Sequence, residues 1–335
     1  MKRLDGPATP RFPLSLIHPL GPLFRYLPLF VRRHLLYLRA RRRWGNFRNP
    51  SRWSEKIQWR ILNDRRVLLT PTCDKLASRE YASSIPQAKS PHVRFPETLW
   101  VGTDMRDLAA LEGSLPARWI LKPNHSSGRV VDIDASRRAI DWDDLNELGR
   151  RWLQRDEELL VFGHWAYGAA RPLLLAQERI GHADVPPADL RLVCNWGEIT
   201  MAFWTDGYQT DDFRLYAYES DLRTRARFDH PHEAHMNQPG PDRLLSDEAV
   251  RDIVAFAREA SAPFDFIRID GVVVDDAFHF LEFTTYPTSG LGAIGAGAEQ
   301  RLSSAWQLPD LNAPDPREAE WRALLHGTPK GTLQP

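Results

Sequence analysis

Residues 267–284 read IRIDGVVVDDAFHFLEFT. Two short runs of β-branched and aromatic residues flank a polar centre, a pattern that predicts a β-hairpin. Asp270 and Glu282 fall inside those runs, where a hairpin normally stores buried side chains. With the loop set at Asp275–Ala277, Val274 pairs with Phe278, Asp270 lies opposite Glu282, and Arg268 lies opposite Thr284. These four then share one face, because strand side chains alternate. Opposed Cβ atoms are only about 5 Å apart, so two carboxylates there repel unless something positive sits between them. Two readings satisfy this. Mg²⁺ takes one or two carboxylates and completes its shell with water and substrate phosphates, and Arg268 is then placed to meet a phosphate oxygen. Alternatively, Arg268 forms plain salt bridges with the acids.

The rest of the chain bounds what such a hairpin can serve. At 335 residues, with 42% hydrophobic and 26% charged residues, the composition is that of a globular protein with one large or two small domains. Cys73 and Cys194 are too few for a cysteine zinc site or a disulfide framework, and they fit a reducing compartment. Formal net charge is zero but unevenly spread. Residues 1–66 hold 16 Lys and Arg against 3 Asp and Glu, an excess of 13 positive charges that the remainder balances. Such asymmetry predicts that the first segment meets something anionic. No run of 18 apolar residues is present, so no transmembrane helix is expected. The opening MKRLDGPATPRF has no apolar core of a signal peptide, so the expected location is the cytoplasm.

Prolines recur every three to six residues over 12–28 and forbid a long helix there. Residues 29–44 then set Val31, Leu35 and Leu38 at helical spacing beside Arg32, Arg39 and Arg43. This basic amphipathic helix is read either as packed on the main domain with a solvated basic face, or as a contact with an anionic membrane surface. Nucleic acid is not expected as a partner, since no recognition motif is present. A second helix over 51–66 keeps Trp53, Ile57 and Ile61 in step. In TPTCDKLASREY, Thr72 or Asp74 caps a helix, and Lys75 and Arg79 fall four apart on one face near its N-terminus. Those two are either an anion site or ordinary surface charges.

Residues 117–133, ARWILKPNHSSGRVVDI, read as strand, loop, strand. Lys122 ends the first strand, where packing explains a lysine poorly. The small polar loop with Ser126, Ser127 and Gly128 can aim backbone N–H groups at a phosphate. A helix is expected over 143–155, a buried strand over 172–180 ending in Gln177 and Glu178, a hairpin turning at Asn195–Gly197, and a helix over 246–260 capped by Ser246. Residues 310–335 are Pro-rich and polar, predicting a poorly ordered tail with one short helix around Trp321. His230, His232 and His235 lie in a loop-like stretch. They are read as a polar or substrate-side loop, with zinc the lesser reading because no cysteine accompanies them.

In order, the chain offers cations and N–H groups for phosphates and then carboxylates for Mg²⁺, which together describe an Mg-nucleotide site. GxxxxGK[ST] does not occur, which excludes a P-loop protein. GxGxxG occurs once, at residues 290–295, after the hairpin rather than near the start of the chain, and an ordinary protein kinase is not expected either.

The stretches WSEKIQWRILNDRR, CDKLASREY, WILKPNHSSG, DLRLVCNWGEI and IRID…HFLEFTTYPTSG follow one another across residues 46–292. In this order the chain resembles the ATP-grasp superfamily, specifically its teichuronopeptide-biosynthesis (TupA-like) branch. The resemblance implies an α+β ATP-grasp fold with ATP held between two subdomains. It also implies ligase chemistry: a carboxylate takes the γ-phosphate of ATP and an amine displaces phosphate to form an amide. By the same resemblance Lys75 and Lys122 contact phosphates, with Arg79 beside them, and Ser126, Ser127 and Gly128 form a mobile loop. Gln177 and Glu178 are the adenine hinge. Asp270 and Glu282 hold Mg²⁺, with Thr284 as a neutral ligand, and Arg268 is the transition-state cation.

Three departures stand out. Thr284 replaces the family's usual Asn, Arg191 replaces the Lys of a DYK motif, and only about 70 residues precede the DK motif, few for the N-terminal domain of many relatives. The expected organisation is a basic N-terminal segment over 1–66, an ATP-grasp domain over 67–300 and a tail over 301–335. Within that domain the lid spans about 97–176 and the metal-binding subdomain about 177–300. The leading expectation is an ATP-dependent carboxylate–amine ligase joining an amine, such as an amino acid, to a carboxylate of a cell-surface polysaccharide or its precursor. The alternatives are an ATP-grasp kinase acting on a sugar hydroxyl and a nucleotide-binding protein without turnover.

Overall fold

The computed structural model describes residue 24 and residues 26–154, 162–182, 187–206, 214–226 and 245–326. His230, His232, His235 and most of the proline-rich stretch 12–28 lie outside these residues. The helices are α1 (Leu29–Arg41), α2 (Trp53–Asn63), α3 (Lys75–Ser84), α4 (Met105–Ala109), α5 (Trp142–Leu153), α6 (Asp247–Ser261), α7 (Ala296–Ala305) and α8 (Glu318–His326). The strands are β1 (Val93–Arg94), β2 (Thr98–Gly102), β3 (Arg118–Pro123), β4 (Val131–Asp134), β5 (Leu174–Glu178), β6 (Ala188–Asn195), β7 (Glu198–Asp206), β8 (Arg214–Tyr218), β9 (Ile267–Val274) and β10 (Ala277–Thr284).

The architecture is α+β, in the two-sheet arrangement expected of an ATP-grasp fold. The smaller sheet runs β2-β5-β3-β4 and the larger β1-β10-β9-β6-β7-β8. Every pairing is antiparallel except β1 with β10. Each sheet has its own core. In the small sheet Trp119 and Leu121 pack with Leu145, Leu148 and Trp152 of α5. The large sheet buries Ile267, Ile269, Phe280 and Phe283 with Ile253, Phe256 and Ala257 of α6. Helix α6 begins where its cap predicts: the Ser246 hydroxyl accepts from the Ala249 N–H, and Asp247 and Glu248 sit at the positive end.

The 267–284 hairpin forms, but by a different route from the one expected. Val274 pairs with Ala277, not Phe278, across a two-residue turn in which Asp275 and Asp276 both have positive φ (49° and 60°). That is the turn geometry whose twist suits a tight hairpin. A bulge between Phe280 and Glu282 then shifts the register by one, so Glu282 pairs with Asp270 and Thr284 with Arg268 after all. Gly271 is required beside them. A Cβ there would meet the Phe278 ring at 2.4 Å and the His279 carbonyl oxygen at 2.5 Å.

Two further expectations are corrected. Helix α1 does not bury the Val31, Leu35, Leu38 stripe. It packs through Arg33, Leu36 and Tyr37, while Val31 is exposed and Leu35 and Leu38 are half-buried. Arg33 is drawn in because its guanidinium finds polar partners beneath the helix: Gln58 Oε1 at 2.8 Å, the Phe162 carbonyl at 3.2 Å, and the hydroxyl and carbonyl of Ser289 at 2.9 and 2.8 Å. Through residue 326 the expected tail packs on the core. Trp306 stacks on Phe266 at 4.5 Å between ring centroids, and Trp321 lies 5.1 Å from Tyr81 and 6.0 Å from Phe264. Both tryptophans are essentially fully buried. An indole buries roughly 200 Å², and at about 25 cal/mol per Å² two of them outweigh the polar composition of the linker between them.

Helix α2 is fastened beneath the hairpin by a buried ion cluster. Asp265, just before β9, accepts from Arg60 at 2.6 Å, Arg66 at 2.6 Å and Trp306 Nε1 at 2.7 Å. Burial pushes the Asp265 carboxyl up, but the two guanidiniums outweigh it and hold it below the ordinary carboxylate range. Among the described residues no helix is long and apolar enough to cross a membrane.

Candidate active site

Lys75 is the first residue of α3, and the residue before it decides where it points. Asp74 is fully buried and its carboxylate caps the helix, accepting from the Ala77 N–H at 2.9 Å. The same carboxylate takes the Arg171 guanidinium at 2.9 and 2.8 Å and Asn124 Nδ2 at 2.7 Å. Asn124 returns the contact by accepting from the Leu76 N–H at 3.0 Å. The CDK and KPNHSSG stretches, some 50 residues apart, are therefore joined through buried charge-assisted hydrogen bonds. From this junction Lys75 Nζ reaches the Ser126 carbonyl and lies 3.4 Å from Glu282.

Lys122, on β3 of the small sheet, is buried beside the same residues. Burial first, then the charges of Lys75 and Arg79, push its ammonium down to about 7, against the opposing pull of Glu282. In the adjoining loop Ser126 is buried and its hydroxyl has no hydrogen-bond partner among the described residues, while Gly128 takes a positive φ of 70°. A buried orphan hydroxyl in a small-residue loop whose backbone is held by Lys75 is the donor arrangement a polyphosphate satisfies. Ser127 is exposed and in hydrogen-bond contact with the Tyr167 hydroxyl.

The hairpin supplies the opposite charge. Arg268 Nε and Nη2 donate to the two oxygens of Asp270 at 2.6 and 2.5 Å, and the Thr284 hydroxyl donates to Asp270 at 2.7 Å. Burial raises the Asp270 carboxyl, but Arg268 outweighs it and keeps the group below its ordinary range. The salt-bridge reading holds for one acid: Arg268 pairs with Asp270, while Glu282 leans to Lys75 instead. Arg191 pairs across β6 with Asp270 and bonds Asp189 at 3.3 Å.

Arg79 lies one turn beyond Lys75 with its guanidinium over the Phe95 ring at 5.9 Å, within the field of Glu178 and Glu97. Gln177 is buried and donates to Thr98 Oγ1 at 3.0 Å. Glu178 is exposed, and its carboxylate accepts from the Glu97 N–H at 3.0 Å, where the chain leaves β5 for the large sheet. Lys75, Lys122, the Ser126 loop and Glu282 therefore form one cluster. The electrostatic contacts of Arg79 extend it toward Glu178 and Gln177 at the crossing, and Arg191, Asp270, Arg268 and Thr284 share the hairpin face.

Several residues here were missed from sequence. Tyr167 lies within the field of Glu282 and Arg268. Next to it, His164 stacks on Tyr286 at 4.8 Å and is hydrogen-bonded to Ser289 Oγ at 2.8 Å. Burial, with the charge of Arg33 adding to it, pushes the His164 ring down to about 3, so it is neutral. The segment WAYGA that carries Tyr167 has no periodicity or motif to single it out. Arg171 left no signal either.

As to Mg²⁺, the donor set is all oxygen: two cross-strand carboxylates and the Thr284 hydroxyl, which suits a hard cation. Among the described residues no group of three or more His, Cys, Asp or Glu converges on one point. A cation here would complete its shell from substrate phosphates and water.

No family model and no curated protein matches the sequence. Among solved structures, the chain is similar to the ATP-grasp ligase PsnB complexed with a minimal precursor, at 15% identity and a TM-score of 0.38, covering 71% of this chain and 60% of that one. It is similar to the macrocyclase MdnC bound with the precursor peptide MdnA from Microcystis aeruginosa MRC, at 10% identity and a TM-score of 0.37, covering 71% and 62%. It is also similar to the D-alanine–D-alanine ligase from Bacillus anthracis complexed with ATP, at 14% identity and a TM-score of 0.33, covering 64% and 54%. The chain spans about 60% of the length of PsnB.

Proposed function

We propose that this chain is an ATP-dependent carboxylate–amine ligase that binds ATP between its two sheets. The observation that carries the reading is the meeting of Lys75, Lys122 and Glu282, supplied by a helix, the small sheet and the large sheet, under a loop with an unsatisfied serine hydroxyl. The lid is the small-sheet region, about 97–176, and the metal-binding part is about 177–300. The base lies against the crossing at Gln177 and Glu178. Arg79 and Arg191 border the nucleotide. The phosphates lie under Ser126, Ser127 and Gly128.

In the first step a substrate carboxylate oxygen attacks the γ-phosphorus and ADP leaves, giving an acyl phosphate. In the second an amine nitrogen attacks the acyl carbon, phosphate leaves and the nitrogen loses a proton. No protein nucleophile is needed, and positioning with charge neutralisation supplies the catalysis. Lys75, tied to the Ser126 carbonyl, holds the loop and one phosphate. Lys122, about half protonated at pH 7 without ligand, takes up the rest of its proton as the triphosphate arrives, so a full positive charge forms against it. Arg268 holds its guanidinium at the hairpin face toward the transferring group. Asp270, Glu282 and Thr284 would hold Mg²⁺, which when bound neutralises charge on the β- and γ-phosphate oxygens.

For the substrates we favour a carboxylate of a cell-surface polysaccharide or its precursor, such as a uronic acid, and an amino acid as the amine. The order of the five TupA-like stretches supports this class. The test is orthophosphate release from Mg-ATP with uronic acids and amino acids. Release that needs both carboxylate and amine supports the ligase. Phosphate retained on a sugar hydroxyl, or nucleotide binding with no turnover on any pair, overturns it.

A further inference from the structure

We propose that the region around Phe30 and Trp44 is a docking surface for an anionic lipid bilayer. Of seven large apolar side chains left exposed among the described residues, four fall between residues 26 and 44: Tyr26 (72%), Phe30 (58%), Val31 (38%) and Trp44 (64%). They are not scattered. The His34 ring is 4.1 Å from Phe30, 4.1 Å from Phe47 and 6.0 Å from Trp44. Phe30, His34 and Phe47 also line, with Arg48, a concavity of about 450 Å³ between α1 and α2. Tryptophan and tyrosine with one apolar and one polar end are the side chains that settle at a membrane–water interface.

Charge selects the kind of surface. No Asp or Glu occurs between residues 6 and 54. Arg41 and Arg43 turn inward to Glu299, at 3.9 and 3.3 Å. Arg39, Arg42, Arg48 and Arg52 are exposed in the same segment, and Arg48 lines the concavity with Phe30 and His34. The nearest acid in sequence, Glu55, is buried and accepts from the Asn46, Ser51 and Arg52 N–H groups. An aromatic patch with Arg48 beside it, in a segment of exposed arginines and no exposed carboxylate, fits a negatively charged lipid surface better than a neutral one. The contact uses the helix N-terminus, Val31 included, and the 42–48 turn, not the Leu35 and Leu38 side of the stripe.

The test is sedimentation of the full chain with vesicles of phosphatidylcholine and phosphatidylglycerol in equal amounts, beside vesicles of phosphatidylcholine alone. The protein is expected to pellet with the mixed vesicles only, and to be released at about 1 M salt, where charges are screened beyond about 3 Å. The Phe30→Ser/Trp44→Ser double variant should lose at least about tenfold in vesicle affinity, since each ring forfeits its insertion into the interface. Arg42→Glu/Arg48→Glu should remove the salt dependence along with binding. A thermal shift with Mg-ATP that is unchanged in both variants separates this surface from the nucleotide site and shows that the variants fold. Equal pelleting with neutral vesicles, binding unaffected by either variant, or self-association of the lipid-free protein that the aromatic double variant abolishes would each overturn the proposal, the last by assigning the patch to a second copy of the chain.

Discussion

Asp270 and Glu282 face each other across neighbouring strands, yet different cations hold them. Asp270 is clamped by Arg268 and Thr284 on its own hairpin, while Glu282 reaches out to Lys75 on α3 at 3.4 Å. The two carboxylates are thus unequal: one is built into the hairpin, and the other bridges the hairpin to the helix.

This inequality predicts opposite outcomes for two conservative changes. Glu282→Gln should leave the melting temperature within a few degrees, since the Lys75 pair is loose at 3.4 Å, Glu282 keeps part of its side chain in solvent, and such a pair contributes about 1 kcal/mol. Nucleotide turnover should fall by roughly 10²–10³-fold, the typical loss on removing one charge-stabilising group from a reacting centre. Asp270→Asn should cost roughly 3–5 kcal/mol in urea unfolding, because Arg268 is left without its counter-ion. If Glu282→Gln is unstable but active, the pair is structural.

Lys122 predicts a pH effect with a defined sign. Its folded-state value, about 7, lies below the ordinary lysine value of 10.5. Between those two values the unfolded chain binds the proton more tightly, so stability rises with pH across that window. Lys122→Met should flatten the rise and raise the unliganded melting temperature, while weakening Mg-ATP binding. Calorimetry of Mg-ATP binding near pH 8, in buffers of differing ionisation enthalpy, should detect uptake of roughly one proton by the protein with Lys122 and none by the variant.

The Asp74 junction is expected to be structural and positional together. Asp74→Ala removes the cap of α3 and strands Arg171 and Asn124, so unfolding free energy should drop by roughly 3–5 kcal/mol. Asp74→Asn keeps a capping oxygen and should cost less. If the alanine variant unfolds like the unmodified protein, the junction does not hold α3 to the small sheet.

Arg33 joins the N-terminal helix to the loop after the hairpin, and it does so without a carboxylate partner among its hydrogen bonds. Burial, with Arg32 beside it, pushes its guanidinium down to about 9. Arg33→Lys cannot reproduce a fork that meets Gln58, Phe162 and Ser289 together. The variant should lose a few kcal/mol and show faster amide exchange at residues 286–291, where Thr288, Ser289 and Gly290 all have positive φ. Unchanged exchange there would show that the loop holds itself.

By itself the sequence determined the elements and their chemistry. Local periodicity and caps placed α2, α5, α6 and the hairpin to within a few residues, because those signals act over one or two turns of chain. The charged and small residues of the site could be listed for the same reason. They occupy the first turns of a helix, two hairpin strands and a loop, at positions where packing gives no account of them. Even so, the facing of Asp270 and Glu282 was reached through a three-residue loop that does not exist; a tighter turn and a bulge restore the pairing. Only the tertiary structure decided which acid Arg268 holds, that Tyr167 borders the site with His164 behind it, that Trp321 docks the C-terminal helix, and that α1 buries an arginine. Each of these rests on partners far away in the chain, such as Arg33 with Ser289, 256 residues apart. A buried polar group takes whichever partner the finished packing brings within about 3 Å, since leaving it unsatisfied costs more than any local preference supplies.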